Sequence, residues 1–581
     1  MKESKNGINA VVTGVYPDKI NIEVLDIESF KVAGEKLSVG AYLRISDSQE
    51  CAIIAVVQSF SIQKGVEDEE RRYVIDGTPI GFIDAEGKFS RGGNKIAIPP
   101  IGVEPASRST IQKIYAWVEL AKSFEFSSLA QDPSIRVPLD GDRFFNKHIA
   151  IVGSTGCGKS CSVATVLRKA TEAKEGTYKG LNNSHIIIFD LHGEYSDAFP
   201  LANHLSINNL ILPYWLMNGE ELEELLIESG ENQAYNQASL LRRIVTRNKQ
   251  KYNKNPKVMF DSPVRFSLNE VLNCIVNLGR ETRNYKNPDE YALKTGLKDF
   301  QSDEARFDHY FAKEHQFEEP KSQSFSKGAY NDGSLDKFIS RIRWKLADER
   351  LSFLLGPKAE EMGFEATIRQ ILGYREKDKA NVTLVDLSGI PFEVLSISVS
   401  LISRILFDYG YHYKRNFSED SRRTPLLLVY EEAHKYVPNL PGARYTASRL
   451  AIERIAKEGR KYGVTLALVT QRPSEISESI LSQCSTVFAM RMTNDKDQNL
   501  VRRTLPETAA GLLSTLPTLR QQEAIAVGEG VPHPMRIRFN HLDRSLQPQG
   551  GSTNFPKAWE NDHEGLGFLT ETVERWRWQS H

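Results

Sequence analysis

The chain has 581 residues, too many for one hydrophobic core, and length alone predicts two to four domains. Lysine and arginine number 74 against 75 aspartates and glutamates, so the net charge of -1 excludes an overall nucleic-acid signature and leaves any DNA contact to local patches. Five scattered cysteines (Cys51, Cys157, Cys161, Cys274, Cys484) without a C-x-x-C pair argue against a zinc site or disulfide framework, and no early apolar run is long enough to span a bilayer, so a cytoplasmic protein without membrane contact is expected.

Residues 1–104 carry short β-type runs (Ala10 to Val15, Ile20 to Leu25, Ala52 to Phe60, Tyr73 to Ile75, Ile80 to Ile83, Ile96 to Ile98) separated by turn signals such as Asp76-Gly77 and Glu86-Gly87. The pattern predicts a small antiparallel barrel. It lacks the interleaved aromatic and basic residues of a base-stacking platform, so assembly or partner docking is its expected role. Pro105 to Asp142 reads as a connector with one helix, Ile111 to Lys122.

The segment 105–207 then opens an α/β core. Ile149 to Val152 is an apolar strand feeding Gly153-Ser-Thr-Gly-Cys-Gly-Lys-Ser160, which fits G-x-x-x-x-G-K-[ST] at every fixed position. Gly153, Gly156 and Gly158 let the backbone turn its N–H groups inward, and the helix expected from Lys159 adds its positive end. Together with Ser154, Thr155 and Cys157 these residues predict a cradle for the phosphates of ATP. Lys159 is placed to reach the β- and γ-phosphates, and the Ser160 hydroxyl to hold Mg2+. A second buried strand, His185 to Asp190, ends in a carboxylate at the edge where open α/β sheets bind ligands, although a cap for the following turn explains Asp190 as well.

Residues 208–346 read as a helical insertion, with amphipathic stretches at Glu220 to Ile227, Ala234 to Lys249 and Leu268 to Leu278 and a loop from Glu314 to Asp332. The run Arg341-Ile-Arg343-Trp-Lys345 suits either phosphate contact or a solvated helix face. The core resumes over 347–546 with Val382 to Asp386, and Pro425-Leu-Leu-Leu-Val-Tyr-Glu431-Glu432 has the form of a Walker B strand. Glu431 is expected to act on magnesium through its water shell and Glu432 to activate the attacking water. Val464 to Gln471 is another buried strand, and Gln471 is placed to sense the γ-phosphate. Thr486 to Met492, Glu523 to Val527 and Met535 to Phe539 complete the sheet, and 547–581 reads as a linker with an aromatic docking segment.

The order of parts resembles the HerA-FtsK group of P-loop ATPases, and HerA more closely. The residues that carry this are the early barrel, the phosphate loop, Asp190-Leu-His-Gly-Glu-Tyr195, Glu431-Glu-Ala-His434, Glu458-Gly-Arg-Lys-Tyr-Gly463 and Thr470-Gln-Arg-Pro-Ser-Glu475. The resemblance implies a RecA-like core behind a barrel of the HAS type, assembled as a homo-hexamer that moves double-stranded DNA through its pore. It also implies an effector partner, a nuclease or a sirtuin-like protein, in DNA end processing or anti-phage defence. Arg460 matches the family position for an arginine finger supplied by the neighbouring subunit, with a local salt bridge as the other reading. Pore-facing residues are expected near Arg444 and Glu475 to Ser482. Glu431 departs from the family, where Asp is common, but the longer side chain still reaches magnesium through water.

Two functions compete at this stage. One is ATP hydrolysis coupled to translocation along duplex DNA. The other is a nucleotide-gated scaffold that assembles and controls an effector without translocating, a reading the near-zero net charge favours slightly; a protein-remodelling ATPase fits the motifs less well.

Overall fold

Alternating apolar residues in the first hundred positions fold inward as a period-two pattern requires, with Ala10 and Val12, then Ile20, Ile22 and Val24, on the buried face. The computed structural model describes residues 10–16, 19–24, 38–46, 52–64, 71–92, 102–116, 118–119, 122–171, 185–228, 230, 233–374, 379–417, 425–439, 447–506, 509–549, 555–560 and 566–578. Seven strands, β1 Ala10–Val15, β2 Ile20–Val24, β3 Tyr42–Ser46, β4 Ala52–Lys64, β5 Arg71–Ile83, β6 Phe89–Arg91 and β7 Val103–Pro105, form one antiparallel sheet in the order β1-β2-β5-β4-β3-β7, with β6 beside β5. A bridge between Val11 and Gly102 joins its two ends, so the sheet curls around its own small core. The expected run Ile96 to Ile98 lies outside the described residues.

The later strands are β8 Ser123–Leu129, β9 Arg136–Asp140, β10 His148–Val152, β11 His185–Asp190 and β12 Asn203–Leu205, then four short ones, β13 Thr282–Asn284, β14 Glu290–Leu293, β15 Gly296–Asp299 and β16 Phe325–Lys327. They are followed by β17 Val382–Asp386, β18 Leu426–Tyr430, β19 Val464–Thr470, β20 Cys484–Met490, β21 Glu523–Gly528 and β22 Met535–Phe539. Eleven of these make the central sheet, in the order β12-β17-β11-β18-β19-β10-β20-β21-β22-β8-β9. From β12 to β20 every neighbouring pair is parallel, and from β20 to β9 every pair is antiparallel. The parallel part therefore presents the C-terminal ends of β10, β11, β18 and β19 along one edge, which is where this fold places its ligands.

Both faces of that sheet are covered, which is why its strands are apolar throughout. Ala150 and Val152 of β10 face one core while Ile149 and Ile151 face the other, and β11 divides in the same way. The connector expected over 105–142 is corrected by the structure. Its helix is shorter, Arg108–Tyr115, capped by the Ser107 side chain, and β8 and β9 extend the central sheet through β22. Phe124, Phe126, Val137 and Leu139 alternate with other residues at the period of two that a strand requires.

The insertion is less purely helical than its periodicity predicts. It holds the helices Gly219–Leu226, Ala234–Asn253, Leu268–Arg280, Asp303–Phe311 and Asp336–Ala347, but also the sheet β15-β14-β13-β16. The loop expected from Glu314 to Asp332 contains β16, which pairs with β13. Leu240, Ile275 and Phe338 share one continuous core with Ile187 and Leu428 of the central sheet, so the insertion thickens one face of it. A buried ion pair fastens this joint. Glu221, fully buried, closes a capping box with Asn218 and accepts from Arg404 Nη2 at 2.8 Å and Ser400 Oγ at 2.8 Å. Satisfying every oxygen makes such a burial tolerable, and removing one partner alone costs about 3–5 kcal/mol.

In the basic run Arg341, 18% exposed in its side chain, pairs with Glu228 and Arg343 with Glu314, while Trp344 is exposed. The helix Gly567–Trp578 leaves Leu569, Val573 and Trp576 exposed. Among the described residues no helix is long and apolar enough to cross a membrane.

Candidate nucleotide site

The phosphate loop begins where β10 ends, between β19 and β20. Gly156 and Gly158 have φ of +74° and +92°, a left-handed backbone that favours glycine. Gly153 is required for a different reason, because a Cβ there meets Met490 Cβ at 2.7 Å and Cys157 Sγ at 2.8 Å. The loop is held from outside by Ser154 N–H donating to Arg491 O at 2.8 Å and by Gln522 N–H donating to Cys157 O at 2.9 Å. The helix Lys159–Thr171 follows, with Lys159 largely buried and its Nζ donating to Ser154 O at 3.3 Å, folded back over the cradle.

The acids converge on Ser160. Its hydroxyl lies 3.2 Å from Glu431 Oε1 and 3.2 Å from Glu194 Oε2. Glu431 is almost fully buried, its Oε2 has no hydrogen-bond partner, and burial together with Asp190 and Glu194 pushes its carboxyl well above the usual range. A hydroxyl, two carboxylates and an orphaned buried oxygen fit a hard divalent cation, whose charge reverses that upward push. Among the described residues no group of three or more His, Cys, Asp or Glu side chains forms a cage, and Mg2+ suits such a partial site because it retains waters and takes phosphate oxygens.

Asp190 caps the following turn, the second of its two sequence readings. Its oxygens accept from the backbone N–H of His192 at 3.3 Å, Glu194 at 3.2 Å and Tyr195 at 3.0 Å, so it shapes the turn that delivers Glu194. Gln549, at the start of the C-terminal linker, clamps the same turn by donating its N–H to Glu194 O at 2.8 Å.

Glu432 sits just past β18 with φ 48° and ψ 47°, a conformation that costs a non-glycine residue about 1–2 kcal/mol. Its carboxyl is raised above the usual range by burial, with Lys159 opposing, which is the direction a general base needs. His434 Nδ1 lies 3.3 Å from Glu432 Oε2 and 3.2 Å from Thr470 Oγ1. One residue on from Thr470, Gln471 accepts a hydrogen bond from the Thr155 hydroxyl and so touches the phosphate loop directly.

Arg460 is separated from this group. It is exposed, it precedes β19 at the N-terminal edge of the sheet, and its charge acts on His148 and Glu529. The phosphate loop lies at the other end of β10, about 15 Å away at ~3.3 Å per residue, so Arg460 cannot reach the cradle of its own chain. Among the described residues it makes no ion pair within 4 Å. Of the pore candidates, Glu475 to Ser482 forms two short helical turns, and Arg444 lies outside the described residues.

Four residues at the site were not singled out from sequence: Glu194, His434, Arg491 and Gln522. Glu194 and His434 stand inside quoted motifs, and a carboxylate four residues past a buried strand end, or a histidine two past the acid pair, is a usable signal. Arg491, whose Nη2 lies 3.4 Å from Gly156 O, and Gln522, packed against Gly158, come from strand ends that only the sheet order brings here.

A parallel sheet edge that carries a glycine-built phosphate loop, a buried acid pair and a polar sensor defines a P-loop nucleotide-binding core of the RecA-like kind. Residues 124–406 match the family model described as Helicase HerA, central domain. Over that segment the chain is similar to the HerA helicase family. Probable helicase MJ1565 of Methanocaldococcus jannaschii is 25% identical over 467 residues, 80% of this chain and 75% of that protein. DNA double-strand break repair helicase HerA of Pyrococcus furiosus is 25% identical over 483 residues, 78% of this chain and 75% of that protein. Among solved structures, VirB4 of Thermoanaerobacter pseudethanolicus aligns with a TM-score of 0.44 and 13% identity over 74% of this chain and 99% of that chain.

Proposed function

We propose that this chain hydrolyses ATP with Mg2+ and uses the hydrolysis to move along double-stranded DNA as a closed ring of identical subunits. The observation that carries the ATPase reading is the convergence on Ser160: Glu431 and Glu194 stand 3.2 Å from its hydroxyl, beside the phosphate loop. Bound Mg2+ supplies charge neutralisation of the β- and γ-phosphates. Lys159 holds the phosphates, Glu431 and Ser160 hold the ion, Glu432 orients and deprotonates the attacking water, and Gln471 reports the loop's state through Thr155.

The ring reading rests on Arg460. An exposed guanidinium that cannot reach its own loop, at the family's finger position, suits a site completed by the next subunit. Duplex DNA as the substrate follows the relatives, two of which are described as helicases. A nuclease or sirtuin-like effector, and a setting in end processing or anti-phage defence, rest on the resemblance of the motifs alone. The second reading, a nucleotide-gated scaffold, keeps one supporting observation, the net charge of -1.

The two readings separate on DNA. A translocase neutralises several phosphates sequence-independently, so its affinity for duplex DNA falls steeply with salt, with a log–log slope of about -0.9 per phosphate contacted. The same DNA raises its ATPase rate. Titrating a duplex of random sequence at two salt concentrations while following phosphate release tests this: a flat ATPase rate and no salt dependence supports the scaffold.

A further inference from the structure

We propose that His434 is a positioning residue that couples the 472–477 segment to Glu432, so that engagement of that segment by duplex DNA sets the catalytic carboxylate. The inference rests on the ATPase reading above and adds the route by which the substrate of translocation controls the chemistry.

His434 is 6% exposed and stands between two strand ends. Its Nδ1 is 3.2 Å from Thr470 Oγ1 and 3.3 Å from Glu432 Oε2. Thr470 Oγ1 already accepts the Arg472 N–H at 3.0 Å, so it has one proton left to give. Two arrangements follow. With the proton on Nδ1, the ring donates toward Glu432 and holds the carboxylate. With the proton on Nε2, the single Nδ1 lone pair accepts from the Thr470 hydroxyl and the ring offers Glu432 no donor, which matches the Glu432 Oε2 found here without a hydrogen-bond partner. Burial, with Lys435 nearby, lowers the imidazole to about 4, so it is neutral near pH 7 and the choice is one of tautomer.

The segment beyond each end is tied to the other. Ser477 N–H donates to Val437 O at 3.1 Å, Asn439 N–H donates to Glu475 O at 2.8 Å, and Pro438 bridges Ile476. The turn that carries Glu432 and His434 is thus pinned to the stretch that follows Gln471. Arg472, 60% exposed in its side chain and paired with Glu475 at 2.8 Å, offers that stretch a cation for a phosphate. A phosphate that draws Arg472 away moves its backbone N–H, which is the group that orients the Thr470 hydroxyl. Glu432 responds sharply because its left-handed backbone persists only while its neighbours hold it.

The test uses the full chain with Thr470→Val, His434→Ala, His434→Asn and the Thr470→Val/His434→Ala pair. ATP affinity, turnover, its stimulation by duplex DNA and the melting temperature are measured for each. Thr470→Val and His434→Ala are expected to keep ATP affinity within about twofold while turnover falls about 10- to 100-fold and the DNA stimulation disappears, the cost of a misplaced catalytic group. The double variant is no slower than the slower single one, because both break one link. His434→Asn, whose amide nitrogen reaches the position of Nδ1, recovers most of the stimulation. Normal turnover and stimulation in Thr470→Val, or additive losses in the pair, overturn the proposal, and Thr470→Val decides it if His434→Ala does not fold. Glu432→Gln in the same assay keeps the two readings apart: full turnover there removes Glu432 as the catalytic base on which the proposed function relies, whereas an inactive Glu432→Gln beside a normal Thr470→Val removes only the coupling.

Discussion

Lys159→Ala is expected to weaken ATP binding about 10- to 100-fold, whereas Glu432→Gln leaves binding nearly intact and slows hydrolysis about 100- to 10,000-fold. The first loses a charge-assisted donor that contacts phosphates in the ground state, worth about 1.5–3 kcal/mol. The second keeps the shape of the side chain and removes only its basicity, which is felt as the water is deprotonated. Glu432 stands beside Lys159, whose charge opposes the upward push of burial on its carboxyl, so the two side chains share a site while acting at different points along the reaction. Equilibrium binding of a fluorescent ATP analogue and single-turnover phosphate release separate the two effects. Equal losses of binding in both variants contradict this division of roles.

Arg460→Ala is expected to lower turnover about 1,000-fold or more, as removal of an arginine finger does, and the loss is expected to be recoverable in trans. Arg460 lies at the N-terminal edge of the sheet near His148 and Glu529, a strand's length from its own phosphate loop. A mixed ring of Arg460→Ala and Lys159→Ala subunits contains interfaces that join an intact loop to an intact finger. Activity that rises and falls with the mixing ratio, in rings whose composition is confirmed by mass, is the expected result. No recovery at any ratio places Arg460 in a purely local role.

The parts legible in the sequence were those whose chemistry is contiguous. The phosphate loop, the β18 acids and Gln471 each follow an apolar run that reads as a strand covered on both faces, and each stands at the C-terminal end of its strand. What escaped depends on contacts between distant segments. Arg491 and Gln522 reach the loop only because β20 and β21 lie beside β10. Asp190 could be placed at the sheet edge from sequence, but only the turn from Leu191 to Tyr195 shows that its oxygens accept from three backbone amides. The β8–β9 hairpin was missed because its strands join the sheet through β22, more than 400 residues away, and because a period-two pattern beside a short helix reads easily as connector. β13 to β16 are three or four residues each, too short to show any period.

Displacement of a tightly bound protein roadblock from duplex DNA tests the translocation claim most directly. Binding and stimulated hydrolysis alone do not require movement, whereas clearing a block requires that each ATP state change the grip on the duplex. The assembled protein is expected to displace the roadblock with ATP and Mg2+, and to leave it in place with a non-hydrolysable analogue or with Glu432→Gln. A roadblock that stays bound under ATP, on DNA to which the protein binds and while ATP is being hydrolysed, contradicts the translocase account.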